Sequence, residues 1–484
     1  MSNRSQRIVT AVLVGSAFLA GVDLFIVNVA FDQIGQDFAG TGLSELSWIL
    51  NAYAVVYAAL LVPMGRLADR AGQKRGFVAG MALFVAASLA CGFSPGIWWL
   101  VAFRVLQAVG AAAMTPASLG LLLAAVAPER RAPAARLWAM TGAVAAALGP
   151  ALGGGLVQLS WQWAFWINIP VGLLLVFGAL RHVPDVRLNL GTPLPDLAGA
   201  LMLMLAVGGL VLGLVQGGDL GWASTRVLGA FALAVLAAAA FVRRTLRHPS
   251  PIVAPALLAV PAFRWANLAT LVFNSAFGAA LLGAILWLQQ GWQYGALQTG
   301  LAIAVGPLAV PITSVLAHRL FPRARPGNMV AAGSLLFAGS ALWQGSALST
   351  TPAYWTSFLP AWVLGGVGVG LAMPNLLAAA TATLPPTQAS TGGGIVTMAR
   401  QVGLALGVSM LVTIVDGTGG DRGFTHAWYA VSLGMLLAAL IALRMSRVPA
   451  ATPEPVGLAD AMPGTAPAEA GSLAERAETP PLRS

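Results

Sequence analysis

The sequence predicts an all-α polytopic membrane protein. Fourteen transmembrane helices are expected, in two six-helix bundles plus two inserted helices, with N and C termini cytoplasmic. Three observations carry this. Of 484 residues, 58% are hydrophobic and 9% charged, against roughly 25% charged in soluble domains. The apolar residues fall in continuous runs of membrane-spanning length, not in alternation, which excludes a β-barrel. The cations gather between the runs on alternate sides, as retention of Lys and Arg in the cytoplasm requires.

Taken in order, Arg4 and Arg7 precede the run 8–31. That run is too long for a signal-peptide core and no small-residue cleavage site follows it, so it is expected to remain as the first span. Runs 47–64, 76–94, 98–126, 134–157 and 163–180 complete an N-terminal bundle over 1–185. Runs 197–215 and 227–242 form the inserted pair within 186–247. A Pro-rich cytoplasmic connector, 248–264, leads to a C-terminal bundle over 265–447, with runs 268–290, 300–317, 329–347, 355–381, 394–415 and 425–443. The stretch 448–484 is rich in Pro, Ala and Glu, lacks an apolar period, and reads as a disordered cytoplasmic tail.

The cations test this count. With both termini inside, the 26 Lys and Arg lie in inner loops or termini, except Arg226 and Arg422 outside and Arg104 and Arg400 within spans. One miscounted span would swap every later loop and destroy the bias. Topology therefore explains the net charge of +10, and no nucleic-acid partner is expected. Every cation but Lys74 is arginine and alanine is abundant, which hints at a GC-rich bacterial genome and a bacterial cytoplasmic membrane. Cys91 is the single cysteine and lies in an apolar run, so no disulfide or metal framework is expected. The halves echo each other. Gly110, Pro116 and Pro128 recur at a constant offset as Gly368, Pro374 and Pro386, and Leu67-Ala68-Asp69-Arg70 reappears in degraded form as Leu316-Ala317-His318-Arg319. Repeats of this kind place a substrate path between the halves.

One connector is unusually specific: Gly65-Arg66-Leu67-Ala68-Asp69-Arg70-Ala71-Gly72-Gln73-Lys74-Arg75. An ordinary inner loop needs cations but not Gly, Asp and Gly at these spacings. Gly65 and Gly72 are expected to allow a tight reversal. Asp69 is the only acid there, and could accept charge-assisted bonds from a guanidinium or a helix N-terminus.

Three ionisable residues sit well inside spans: Asp23, Arg104 and Arg400. Such residues cost ~2.5–3.5 kcal/mol at mid-helix on insertion scales, and are rare without a use. Asp23 lies ~12 Å from the outer end of the first span and Arg104 ~10 Å from the outer end of the fourth, at 1.5 Å per residue. They are expected to meet at one level and to face a shared cavity. A carboxylate there can carry a proton: exclusion of water favours the neutral acid and a nearby guanidinium favours the anion. It could equally pair with a cationic substrate, or form a purely structural ion pair. Arg400 reads either as a gating residue or as a side chain snorkelling to the inner interface. In the fifth span, Gly149 and Gly153 form a G-x-x-x-G face beside Pro150 and Gly154, allowing close helix approach and a bend. The run Trp161-Gln162-Trp163-Ala164-Phe165-Trp166-Ile167-Asn168-Ile169-Pro170 suits an outer aromatic belt, which accounts for the tryptophans but not for Asn168-Ile169-Pro170. Asn274, Gln289, Gln290, Gln344 and Asn375 could line a path, but ordinary helix–helix hydrogen bonding explains most of them equally well.

These stretches resemble the major facilitator superfamily. The connector is similar to its G-x-L-A-D-R-x-G-x-K/R signature at Gly65, Leu67, Ala68, Asp69, Arg70, Gly72 and Lys74. Asp23, Ile26, Val27, Asn28, Val29 and Ala30 resemble the L-D-x-T-I-V-N-V-A pattern of its fourteen-helix drug:proton antiporters. Arg104, Gln107 and Gly110 resemble R-x-x-Q-G-x-G, with Ala108 in place of a glycine. The segment from Gly149 resembles the antiporter motif, and Trp161 to Gly172 resembles W-R-W-x-F-x-I-N-x-P-x-G, with Gln162 in place of arginine. Phe25 stands where the pattern has Thr, and Phe31-Asp32 where it has Leu-Pro.

The resemblance implies the major facilitator fold, alternating access, and a proton-driven antiporter exporting drugs or antibiotics. It implies no cofactor beyond the proton gradient, and a small hydrophobic substrate, cationic ones included, moved by a monomer in the lipid bilayer. It assigns Asp23, Asn28, Arg104 and Gln107 to proton coupling or the substrate cavity. Gly65, Asp69, Arg70, Gly72, Lys74 and Arg400 become a conformational switch, with Asp69 contacting the inner start of the thirteenth span. Gly149, Pro150, Gly153 and Gly154 become a helix-packing motif. The alternative is a dedicated exporter of an endogenous metabolite: a secondary metabolite, an amino acid derivative or a lipid. A membrane-embedded enzyme is disfavoured, because His182, His248, His318 and His426 all lie at loops or span ends and no metal or nucleotide motif is spelled.

Overall fold

Backbone polar groups cannot be left unpaired in lipid, so each apolar run folds as a helix that satisfies its own N–H and C=O groups. The computed structural model describes residues 3–185, 195–381, 384 and 386–446. The expected tail, 448–484, lies outside the described residues. The helices are α1 (Asn3–Asp37), α2 (Leu43–Ala71), α3 (Gln73–Gly92), α4 (Ile97–Ala125), α5 (Arg131–Val157), short α6 (Trp163–Trp166), α7 (Asn168–His182), α8 (Leu197–Leu220) and α9 (Thr225–Arg247). Then follow short α10 (Pro255–Ala259), α11 (Pro261–Leu286) with a π-helical end to Gly291, α12 (Ala296–Leu320), α13 (Pro326–Ser346), α14 (Leu359–Thr381), α15 (Pro386–Thr418) and α16 (Gly420–Ser446). Among the described residues, 13 helical segments have the length and apolarity to cross a membrane. They do not include α13, whose 21 residues are rich in Gly and Ser.

The helices overrun the apolar runs. α1 continues through Phe31-Asp32 to Asp37, and α2 continues through most of the expected loop to Ala71. Nothing in 65–71 stops a helix, and the reversal into α3 is made by Gly72 alone, at φ 107°. That is the left-handed region glycine tolerates. Gly65 is not part of the turn. It lies inside α2, where a Cβ would come 3.3 Å from Pro116 of α4. The expected connector 248–264 is also partly helical, since Pro255 and Pro261 each start a helix, a position that suits proline.

The two sets of helices pack alike. In the first half α3 packs on α4, α1 on α5, α2 on α4, α1 on α7 and α3 on α7. In the second half α13 packs on α14, α11 on α15, α12 on α14, α11 on α16 and α13 on α16, pairing for pairing. The equivalent crossings use equivalent glycines. A Cβ on Gly110 would fall 2.7 Å from the Gly80 carbonyl oxygen, and one on Gly368 would fall 2.5 Å from that of Gly333. The halves join along two lines, α2 against α15 and α5 against α12. The face carrying the start of α1 and the α2–α3 turn is called proximal below, and the opposite face distal. At the distal end Gly154 packs against the Ala296-Leu297 backbone and Gly300 against the Pro150 carbonyl. Gln289 Nε2 donates to the Val29 carbonyl there at 3.0 Å. The buried residues of α12 run from Thr299 to Gly306, while Leu308, Ile312, Val315, Leu316 and Leu320 of its proximal half are uncovered. The inserted pair packs α9 on α8, and α8 on both α2 and α15.

Gly110→Val is expected to drive α4 off α3 and to cost about 1–3 kcal/mol of stability by overpacking. It should be read as a lowered melting temperature of the purified protein. Gly142→Ala, at a helical position with nothing within 4 Å of the added carbon, should leave it unchanged or raised.

Candidate functional site

A carboxylate inside a helical bundle is tolerable only if its charge and its lone pairs are met. Asp23 meets both. Its Oδ2 accepts from Arg104 Nη1 at 2.7 Å, and its Oδ1 accepts from Gln107 Nε2 and from Asn168 Nδ2, both at 2.8 Å. Asp23 and Arg104 are each 0% exposed. Around them, Gln107 Oε1 accepts a second bond from Arg104 Nη1 at 2.6 Å, and Arg104 Nε donates to the Ile49 carbonyl at 3.3 Å. Ser88 Oγ accepts from Gln107 Nε2 at 2.5 Å and from Asn168 Nδ2 at 3.0 Å. The guanidinium carbon stands 4.0 Å above the Tyr53 ring, a cation–π contact in a dry setting. Five helices, α1, α2, α3, α4 and α7, thus converge on one ion pair.

The equal depth of Asp23 and Arg104 expected from the sequence is seen, but the shared open cavity is not. The pair is enclosed within the first half because α3 and α7 cover it with Ser88 and Asn168, both 0% exposed. Gln107 joins the cluster. Asn28 does not: its Nδ2 donates to the Leu24 carbonyl of its own helix at 2.9 Å. Asn168 and Ser88 were not among the expected site residues. The Asn168-Ile169-Pro170 spelling that an aromatic belt left unexplained was the available signal, whereas Ser88 is indistinguishable in sequence from any small helix-packing residue. Trp161 also leaves the belt reading. It is 2% exposed, and its Nε1 donates to Asp37 Oδ2 at 2.6 Å, closing α6 on the distal end of α1.

The connector residues form a second group at the proximal face. Asp69 Oδ1 accepts from Gln73 Nε2 at 2.8 Å across the Gly72 turn, and Lys74 Nζ caps α7 by donating to the Leu180 carbonyl at 3.0 Å. Arg70 ends α2 in this group. Arg66 Nη1 reaches Ser250 beyond the inserted pair, at 2.7 Å to Oγ and 2.9 Å to O. The expected contact of Asp69 with the start of α15 involves side chains 386–391, outside the described residues. Arg400 lies well along α15, apart from this group. The glycine motif of α5 serves two neighbours. Gly149 and Gly153 take Phe25 and Ile26 of α1, Gly154 takes α12, and the Pro150 carbonyl meets Gly300.

Chemically, the Asp23 carboxylate is an acceptor for three bonds that tie α1 to α4 and α7. Protonation turns one oxygen into a donor, which no longer suits donors aimed at it.

The sequence matches the Major Facilitator Superfamily over residues 13–408. It is 31% identical over 444 residues to the methylenomycin A resistance protein of Streptomyces coelicolor, covering 90% of this chain and 91% of that protein. It is 32% identical over 429 residues to the tetracenomycin C resistance and export protein of Streptomyces glaucescens, covering 87% and 78%. It is 31% identical over 419 residues to the multidrug resistance protein Stp of Mycobacterium tuberculosis, covering 85% and 76%. Among solved structures, a peptide transporter POT in complex with sulfate superposes with a TM-score of 0.68 at 15% identity, covering 92% of this chain and 95% of that one. A bacterial homologue of the lysosomal transporter Spinster, inward-facing and unoccupied, gives 0.65 at 15% identity, covering 92% and 98%. Both structures share the fold.

Asp23→Asn leaves the Arg104 charge buried without its counter-ion. It is expected to cost about 3–5 kcal/mol, the usual loss when one partner of a buried pair is removed. The double variant Asp23→Asn, Arg104→Gln should recover a measurable part of the lost melting temperature. Recovery by the second change would identify the unpaired charge, and not lost packing, as the cause.

Proposed function

The chain belongs to the major facilitator superfamily, and from that premise we propose that it exports drugs or antibiotics across the bacterial cytoplasmic membrane in exchange for protons. It is a multi-pass membrane transporter and not an enzyme. The proposed topology has fourteen spans, with the proximal face and both termini cytoplasmic. The proposed cycle is alternating access between the two repeated halves. The direction of transport rests on the relatives named for resistance to methylenomycin A and for export of tetracenomycin C.

The observation that carries proton coupling is the Asp23 carboxylate, held by donors from α4 and α7. A proton arriving at Asp23 weakens those bonds and frees α1 to shift against α4. α1 also carries Phe25 and Ile26, which pack on Gly149 and Gly153 of α5, and α5 packs through Gly154 on α12 of the other half. The ion pair is thus mechanically linked to the distal seam. In this reading the form described here is closed at the distal seam and looser at the proximal end. Proton entry supplies ~2.3 kcal/mol per 100 mV of membrane potential and ~1.36 kcal/mol per pH unit.

The test uses inverted membrane vesicles with an inside-acid gradient. Adding methylenomycin A or tetracenomycin C should dissipate the gradient with the wild-type protein. It should not do so with Asp23→Asn, at matched amounts of folded protein. Dissipation unchanged by the substitution would remove Asp23 from coupling. No dissipation by the wild type, with compound accumulation intact, would refute proton exchange.

A further inference from the structure

Between Pro386 and Val415, α15 carries one charged residue, Arg400. Three contacts fix the register of α15 against the antiparallel α2. A Cβ on Gly394 would stand 3.4 Å from Val62 Cγ2, Asn51 Nδ2 donates to Ser409 Oγ at 3.2 Å, and Ser44 Oγ donates to Asp416 Oδ2 at 3.2 Å. In this register Arg400 falls level with Tyr57, and the two side chains interact electrostatically. Tyr57 is the middle residue of the 29-residue α2. Within the apolar run 47–64 it stands seven residues, ~10 Å at 1.5 Å per residue, from the proximal end. Arg400 therefore sits in the proximal half of its span, on the line where the two halves meet.

Arg400 is half-buried there, while Tyr57 and Gln401 beside it are buried. Among the described residues no carboxylate lies within ion-pair distance of it. The other two embedded charges neutralise each other, and the Asp23 carboxylate is engaged by three donors. At this level of the α2–α15 line the described residues therefore present a positive charge with no carboxylate beside it. A cation arriving there meets repulsion and no acid. An anion meets a guanidinium whose forked N–H groups match a carboxylate. Tyr57 adds an aromatic wall, stacked on Tyr53 at 5.9 Å between ring centres with planes 18° apart. Tyr53 in turn lies against Arg104.

We propose that Arg400, flanked by Tyr57, binds a carboxylate of the transported compound, so that the exported class is hydrophobic organic acids, not lipophilic cations. This rests on the export reading above and narrows its substrate. Ile49, Tyr53 and Tyr57 recur every fourth residue on one face of α2. Ile49 and Tyr53 touch Arg104, and Tyr57 stands within electrostatic range of Arg400. The acid-binding cation is thus one tyrosine stack from the ion pair.

The test compares three probes of one shape on the purified full-length protein: pyrenebutanoate, pyrenebutanol and pyrenebutylammonium. Binding is read by energy transfer from the protein's tryptophans to pyrene. The carboxylate is expected to bind about tenfold tighter than the alcohol, as a charge-assisted pair in place of a neutral contact requires, and the ammonium more weakly than either. Arg400→Gln should erase the carboxylate preference and Arg400→Lys should keep part of it. Equal affinities, a preference for the ammonium, a preference that survives Arg400→Gln, or no saturable carboxylate binding would each overturn the proposal. If Arg400→Gln does not yield a monodisperse protein, the wild-type ranking and Arg400→Lys decide. Gradient-driven antibiotic export with no carboxylate preference would sink the acid site and leave the export reading standing. The preference without export would do the reverse.

Discussion

A carboxylate and a guanidinium enclosed together in a membrane bundle constrain everything near them. Neither can be left alone at that depth, so the helices that carry them, and those that finish their hydrogen bonding, must stay in one relation. Asp23 fixes α1 against α4, Asn168 draws in α7, and the Ile49 carbonyl draws in α2. A purely apolar core of the same volume could slide among near-equivalent packings. This one is held to a single arrangement by its directed bonds.

The second constraint is close backbone approach. Lipid gives apolar side chains no reason to prefer each other over acyl chains, so tight packing at small residues supplies cohesion instead. Gly80 with Gly110 and Gly333 with Gly368 supply it within the two halves, and Gly154 and Gly300 supply it between them. The same chemistry therefore serves a permanent crossing in one place and a seam between repeats in another. The difference lies in what surrounds them: α3–α4 and α13–α14 are braced by α7 and α16, while the α5–α12 contact has an uncovered proximal half.

Much of this is legible in the sequence where cost makes residues rare. Charged residues inside apolar runs are expensive, so Asp23, Arg104 and Arg400 stand out, and counting residues along two spans is enough to bring the first two to one level. Polar residues of modest cost are not legible in the same way. Asn28 and Gln107 look equally suited to a site, yet one bonds its own backbone and the other completes the ion-pair cluster. Glycine spacing is legible as close packing but not as its partner. Gly65 reads as a turn residue and turns out to receive Pro116, because hydropathy marks where lipid ends and not where a helix ends.

The inserted helices give the molecule a handedness towards the bilayer that its internal repeat lacks. α8 lies across the α2–α15 line, filling it with Val207, Val211 and Val215 against Ala54, Val55, Ala405 and Val412. Among the described residues the α5–α12 line has no such cover, and Leu148, Leu152, Leu301 and Leu308 on its helices are left exposed. Among the described residues one seam is thus shielded by α8, and the other presents leucines at the surface. The repeat alone would make the two flanks alike, and the insertion makes them unlike.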